Sequence, residues 1–144
     1  MALARNFKEL RVYSMPFESA MELFQMSKGW SKDERYSLTD QVRRSSRAVC
    51  ANIAEGWRKR LYVANFVSKL SDANAEAGET QVWLDFALSC GYMDETQHRK
   101  LYAAYDQVSG GLIKMIANPE GWCGPASIRE DNAPYSVDAD APLE

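Results

Sequence analysis

The sequence predicts an all-α protein, an antiparallel up-and-down four-helix bundle with a loosely ordered acidic C-terminal tail. Apolar residues recur at helical spacing in four segments, and capping residues, glycine or proline bound these segments. The connections are short and polar, which favours antiparallel neighbours. With 144 residues, 46% of them hydrophobic, the chain can form one domain with its own core. We therefore assign residues 1–120 to the bundle and residues 121–144 to a C-terminal extension.

The first two predicted helices each have one apolar side. In the first, between Pro16 and Gly29, the apolar residues fall at i, i+3, i+4 and i+7: Phe17, Ala20, Met21 and Phe24. The second ends at Gly56, and its apolar side is formed by Leu38, Val42, Val49 and Ile53. We expect both sides to face the core.

The third and fourth helices carry longer apolar stripes. Gly91 ends the third helix, whose stripe is Phe66, Leu70, Ala73, Ala77, Leu84 and Leu88. The fourth starts at the capping pair Asp94 and Gln97 and stops before Pro119; its stripe is Leu101, Tyr105, Val108, Leu112 and Met115. Within it, Gly110-Gly111 predicts a close helix contact or a kink.

Charge and apolar content limit the function classes. The net charge of −3 comes from the last sixteen residues, which carry −4, whereas the rest of the chain carries +1. No apolar run approaches the roughly 20 residues that cross a bilayer, and the N-terminus does not resemble a signal peptide. We therefore expect a cytoplasmic protein without a membrane partner. Cys50, Cys90 and Cys123 are far apart, which favours reduced thiols over disulfides or a metal site.

The sequence predicts no catalytic, metal or cofactor site. His98 is the only histidine, and no cysteine or serine is recognisably arranged beside it for nucleophilic catalysis. Asp72 and Glu76 lack the histidine that completes a di-metal site in a bundle. We therefore expect a non-enzymatic protein in which His98 is a solvated surface residue.

The second helix has a basic face opposite its apolar side, and the third helix has an acidic stripe. The basic residues include Arg43, Arg44 and Arg47. The acidic residues fall at i, i+4 and i+7: Asp72, Glu76 and Glu79. The two sets can pair within one chain or between chains. We predict that these six residues build an oligomer interface.

Asn52, Glu55 and Gly56 are predicted to form a structural corner between the second and third helices. A carboxylate near the negative end of a helix dipole needs a partner. For Glu55 the candidates are Arg58, Lys59, Arg60 or the backbone N–H groups that open the third helix. We expect Asn52 to bond carbonyl groups across the turn.

The run "YSLTDQVRRSSRAVCANIAEGWRKR", followed by "FVSKLSDANAEAGETQVWLDFALSCGYM", resembles the 23S rRNA intervening-sequence protein family. The likeness covers Phe7 to Ile116, with Leu-x-x-Gln-x-Arg-Arg leading into Asn-Ile-Ala-Glu-Gly. It implies antiparallel four-helix bundles that assemble as cyclic homopentamers with a central channel. A related accessory protein of diversity-generating retroelements binds nucleic acid and a reverse transcriptase. Ser45-Ser46 and Cys50 depart from the family pattern.

Two functions follow. The resemblance implies an RNA- or DNA-binding accessory protein, in which Trp57 or Tyr62 could stack on bases. Arginines and a lysine of the second helix would contact phosphates, with Arg58, Lys59 and Arg60 as the predicted site beside Arg43, Arg44 and Arg47. The alternative is a structural or scaffolding oligomer that binds a protein partner and uses its arginine face for assembly. Joint exposure of the three basic residues would favour nucleic acid, whereas pairing with Glu55 and the acidic stripe would favour assembly.

Overall fold

A computed structural model of the chain describes residues 4–125, and in that range it contains helices and no strand. The four long helices are α1 (Arg11–Ser27), α2 (Asp40–Arg58), α3 (Val63–Ser89) and α4 (Glu95–Ala117). Each packs against two others, so that α1 and α3 lie on either side of α2 and both contact α4. This arrangement confirms the predicted up-and-down four-helix bundle.

Short helical turns join the long helices. A 3₁₀ turn, Phe7–Glu9, precedes α1, and another, Pro119–Gly121, follows α4. Between α1 and α2 lie a 3₁₀ turn, Lys32–Glu34, and a π-helical segment, Arg35–Thr39. The α1–α2 connection is therefore largely ordered helix, not an irregular loop.

The predicted apolar sides of α2, α3 and α4 form the core. Every residue of those three stripes is buried except Leu88, which is partly exposed. Phe66 and Tyr105 are the largest side chains that are completely buried. The helical spacing of large apolar residues was therefore sufficient to orient three of the four helices.

The predicted core side of α1 is wrong at Phe17 and Met21, although Ala20 of the same set is buried as predicted. Phe17 and Met21 are 48% and 44% exposed, whereas Leu23 is completely buried. The helix instead turns inward a side with smaller residues, consisting of Pro16, Ser19, Ala20, Leu23 and Ser27. Both sides have helical spacing, but small side chains let α1 approach its neighbours closely around Leu23.

Glycines have two different roles in these helices. Gly91 follows α3 with a φ of 79°, and its N–H donates to the Leu88 carbonyl while the Tyr92 N–H donates to the Ala87 carbonyl. These bonds form a Schellman C-cap, as the sequence predicted. Gly56, by contrast, does not end α2, because the helix continues to Arg58. A Cβ at Gly56 would lie 3.2 Å from Lys69 Cβ, so this glycine permits α2 to approach α3.

Both predicted boundaries of α4 are confirmed. Asp94 and Gln97 form a capping box, with each side chain accepting a hydrogen bond from the other residue's backbone N–H. The helix ends at Ala117, two residues before Pro119. A Cβ at Gly111 would overlap the side chain of Val12, which confirms a close contact between α4 and α1.

The first residues of the predicted C-terminal extension pack against the bundle. The Trp122 ring meets the Trp57 ring edge-on, with centroids 6.1 Å apart. The Gly124 N–H donates to the Arg60 carbonyl at 2.9 Å. The predicted loosely ordered tail otherwise lies outside the described residues, and the division at residue 120 stays a prediction.

Candidate nucleic-acid interface

A groove between α1 and α2 collects the arginines of the predicted basic face. It has a volume of about 610 Å³ and is lined by Phe24, Asp40, Arg43, Arg44 and Arg47. We call it the arginine groove. It forms because Arg43, Arg44 and Arg47 share one side of α2, which turns through about 100° per residue.

Phe24 of α1 holds the cations of this groove. The guanidinium carbons of Arg43 and Arg47 lie 4.9 and 5.5 Å from the centre of its ring. Lys28, the residue that follows α1, places Nζ 4.7 Å from the same centre. An aromatic ring attracts cations to its face, so Phe24 offsets part of their mutual repulsion. The spacing of four between Phe24 and Lys28 is the sequence signal that could have placed α1 in this site.

Arg43 is anchored to α1, whereas Arg47 is not. Arg43 Nε donates to Ser27 Oγ at 2.8 Å, and a terminal nitrogen lies 3.4 Å from the Phe24 carbonyl oxygen. Within residues 4–125, neither Arg43 nor Arg47 forms an ion pair with a carboxylate. Within that range neither guanidinium is therefore paired, although the carboxylate of Asp40 lines the same groove.

The predicted pairing of the basic and acidic stripes occurs within this chain at one point. Arg44 lies 3.6 Å from Glu79 Oε1 and also donates to Gln41 Oε1 at 2.8 Å. Beside this pair, burial raises the pKa of Glu76, and the nearby Glu79 adds to the effect. The remaining member of the acidic stripe, Asp72, is exposed. Whether the six residues build an oligomer interface stays a prediction.

The corner between α2 and α3 exists, but with different partners from those predicted. Lys69 Nζ of α3 lies 2.8 Å from Glu55 Oε2, and its hydrogen bond and charge lower the pKa of Glu55. Asn52 Nδ2 donates to the Ala48 carbonyl one turn back in its own helix, not across the turn. With the close approach at Gly56, these contacts make the Asn-Ile-Ala-Glu-Gly segment a packing element between α2 and α3.

The three basic residues at the end of α2 are not exposed together. Arg58 and Lys59 are exposed, but Arg60 is only 4% exposed. Its guanidinium carbon lies 3.7 Å from the centre of the Trp57 ring, and its Nε donates to the Trp57 carbonyl at 2.8 Å. Trp57 is itself 2% exposed, so it cannot stack on a base, whereas Tyr62 is 61% exposed. The surface predicted here therefore reduces to Arg58, Lys59 and Tyr62.

His98 is not the solvated residue that the sequence predicted. Its side chain is 18% exposed, and Nε2 lies 2.7 Å from Asp85 Oδ1. The ring packs at 5.3 Å against Tyr102 and lines a groove of about 430 Å³ between α3 and α4. The walls of this groove contain no serine, threonine or cysteine, so the pair lacks an adjacent nucleophile there.

Thiols and metal ligands add no further site within residues 4–125. Burial raises the pKa of Cys50 to about 12, so its thiol is protonated at neutral pH. Cys90 and Cys123 are also free. Across this range no group of three or more histidine, cysteine, aspartate or glutamate residues could hold a metal ion. None of the helices described has the length and apolar character needed to cross a membrane.

Residues 8–114 match the family described as 23S rRNA-intervening sequence protein. The chain belongs to this family. Among solved structures it is similar to a protein of unknown function from the S23 ribosomal protein family of Bacteroides thetaiotaomicron. The two are 24% identical with a TM-score of 0.64, over 73% of this chain and 97% of that one, which shows a common fold. No curated protein matches this chain.

Proposed function

We propose that this family member is a non-enzymatic, cytoplasmic accessory protein that binds RNA or DNA through the arginine groove and works as a homo-oligomer, with five subunits as the family resemblance implies. One observation carries the proposal: Arg43 and Arg47 converge on Phe24, and neither is neutralised by a carboxylate within residues 4–125. Like charges held together without partners destabilise the free fold unless an anion binds.

Phosphates suit this groove better than a single carboxylate would. A nucleic-acid backbone offers successive negative charges, and an arginine fork can bind two phosphate oxygens at once. Arg43 is fixed by Ser27, whereas Arg47 is exposed over the Phe24 ring and can turn toward a bound strand. Arg58 and Lys59, further along the same helix, are exposed and can extend the basic surface.

The test is a salt titration of binding to mixed-sequence RNA and DNA, single-stranded and duplex, with the oligomer's mass checked by light scattering. The variant Arg43→Gln/Arg47→Gln removes two cations from the groove. The matched control Arg99→Gln/Lys114→Gln removes two exposed cations from α4. If both arginines contact phosphates of a single strand, the slope of log affinity against log salt should become shallower by about 1.4.

The outcome of this titration separates the two proposed functions. A loss of affinity of about tenfold or more in the groove variant, with little change in the control, would support nucleic-acid binding. Equal affinities and slopes for both variants would refute binding through this groove. If no nucleic acid binds even at low salt, the proposed function is wrong.

Exposed apolar side chains favour a second candidate, a structural or scaffolding oligomer that binds a protein partner. Val82 and Phe86 of α3 are 48% and 53% exposed, one turn apart on the same side. On α1, Phe17 and Met21 form a similar exposed pair. Large exposed apolar side chains that cluster on one surface mark contacts with other proteins.

The scaffolding candidate is tested by mass in solution. Phe86→Ser should reduce the mass of the oligomer measured by light scattering if this side of α3 lies between subunits. The control is Ile113→Ser, which changes another exposed apolar residue, 53% exposed on α4. An unchanged mass for Phe86→Ser would show that this surface is not the subunit interface. The surface would then be available to a different protein partner.

A further inference from the structure

A second groove adjoins the arginine groove and shares Arg43 with it. It has a volume of about 510 Å³ and lies where the end of α1 meets the π-helical segment before α2. Its walls contain no carboxylate, but they carry four cations, Lys28, Lys32, Arg35 and Arg43. We call it the tyrosine groove, because Tyr36 lines it and is 72% exposed.

Tyr36 is more exposed than any other large hydrophobic side chain in residues 4–125. Its ring is not needed by the core, and the guanidinium carbon of Arg35 lies 5.5 Å from its centre. An exposed aromatic ring beside cations is the arrangement with which proteins hold single-stranded nucleic acid, since every base has a face that can stack.

The backbone around Tyr36 is unusual for a surface connection. Residues Arg35–Thr39 form a π-helix, in which the Asp40 N–H donates to the carbonyl of Arg35, five residues earlier. π-helical turns are rare and occur frequently at functional sites. Because the hydrogen bonds of this segment span five residues, Tyr36 does not follow the α-helical spacing of α2. The residues of α2 on this side form the arginine groove.

Two nearby carboxylates, Glu34 and Asp40, are directed to other partners or to the neighbouring groove. A third, Asp33 beside Lys32, is exposed and does not line the tyrosine groove. Glu34 Oε1 accepts a hydrogen bond from Ser37 Oγ at 2.8 Å. Burial raises the pKa of Tyr92, and the charge of Glu34 adds to that effect. Asp40 lines the arginine groove, not the tyrosine groove. The tyrosine groove therefore offers a cationic lining next to an exposed ring.

We propose that the tyrosine groove binds one unpaired nucleotide of the bound strand, with its base stacked on Tyr36 and its phosphate held by Lys28, Lys32 and Arg43. The strand then continues into the arginine groove, since Arg43 belongs to both. This inference rests on the proposed nucleic-acid function. It adds a preference for single strands, because a base inside a duplex cannot stack on a protein side chain.

The test uses the full chain and an oligouridine of about eight nucleotides that carries one 2-aminopurine, whose fluorescence falls on stacking. Tyr36→Ala removes the ring, and Tyr36→Trp restores a stacking surface. Ile113→Ala is the control, because Ile113 is an apolar side chain 53% exposed on α4 that lines neither the tyrosine groove nor the arginine groove. Duplex RNA of the same length reports the contribution of phosphate contacts alone.

The proposal expects the wild type, Tyr36→Trp and Ile113→Ala to quench the probe. Tyr36→Ala should abolish quenching and weaken single-strand binding by about tenfold, within the range measured for stacking residues, and leave duplex binding unchanged. Unaltered quenching and affinity in Tyr36→Ala would overturn the inference. If Arg43→Gln/Arg47→Gln still abolished binding in that case, the proposed function would stand.

Two further outcomes would also overturn the inference. If adenosine monophosphate alone competes as well as the oligonucleotide, the tyrosine groove takes a free nucleotide and not part of a strand. If the wild type binds no oligonucleotide at low salt, the proposed function and the inference fail together.

Discussion

Replacing Gly56 by alanine tests whether this glycine is present because α2 and α3 approach closely. A new Cβ would lie 3.2 Å from Leu70 Cδ2 and 3.2 Å from Lys69 Cβ. Carbon atoms in favourable contact are about 3.5–4.0 Å apart, so both neighbours would have to move. Leu70 is 1% exposed and packed on all sides, which makes that movement costly.

Two effects of opposite sign determine the magnitude. Alanine is better than glycine inside a helix by about 1 kcal/mol, while overpacking a well-filled core costs about 1–3 kcal/mol. We therefore expect Gly56→Ala to lower the free energy of unfolding by about 0–2 kcal/mol. At Gly78 of α3 nothing lies within 4 Å of an added Cβ. Gly78→Ala should therefore be stabilising, because alanine favours the helix and the new methyl group meets no other atom.

The assay is urea unfolding of both variants and the wild type at equal protein concentration, with the mass of each checked by light scattering. Because both changes replace a helical glycine by alanine, the difference between them isolates the overpacking cost of about 1–3 kcal/mol. If Gly56→Ala were stabilising to the same extent as Gly78→Ala, the close approach of α2 and α3 would be wrong.

Three other substitutions test contacts between α2 and α3 by urea unfolding. Lys69 lowers the pKa of Glu55 below its ordinary 4.5, so the pair stabilises the fold above that pH and is lost as the pH falls. Glu55→Gln should therefore lower the urea midpoint at pH 7 more than at pH 3. An equal loss at both pH values would contradict this ion pair. Burial raises the pKa of Glu76 above 4.5, so the fold favours its protonated form and loses stability as the pH rises through that window. Glu76→Gln should therefore raise the urea midpoint at pH 7 but not at pH 4. A lower midpoint at pH 7 would show instead that the Glu76 carboxylate stabilises the fold. Thr80 Oγ1 lies 2.8 Å from Ser45 Oγ in the core, so Thr80→Val should cost about 1–3 kcal/mol, whereas the exposed control Ser71→Ala should cost almost nothing.

Helix spacing predicted the bundle well wherever one side alone carried large apolar residues. The stripes of α3 and α4 are of this kind, and apart from Leu88 they are buried as expected. On α1 two sides have helical spacing, and the sequence gives no measure of how closely neighbours can approach. The side around Leu23 is buried because its small residues allow tighter packing, which leaves Phe17 exposed.

Charged residues were harder to place, because their partners depend on contacts between helices. The partner of Glu55 is Lys69, fourteen positions away on the next helix and outside the set suggested by proximity along the chain. Arg60 was grouped with Arg58 and Lys59, yet its guanidinium packs on Trp57 and leaves the surface. A long arginine side chain can cover an aromatic ring as readily as it can extend into water, and sequence alone does not distinguish the two.

The two halves of α2 differ in how far the fold accounts for their polar residues. In the second half, Asn52 bonds its own helix, Glu55 pairs with Lys69, and Gly56 admits α3, so each has a structural role. In the first half, Arg47 is exposed and contributes one more cation to a groove that already holds Arg43. Its cation–π contact with Phe24 contributes about 0.5–1 kcal/mol at an exposed site, and its repulsion from Arg43 opposes folding. We propose that an anion compensates this charge, either a phosphate or an acidic residue of a neighbouring subunit, and we therefore assign function to the first half of α2 and packing to the second.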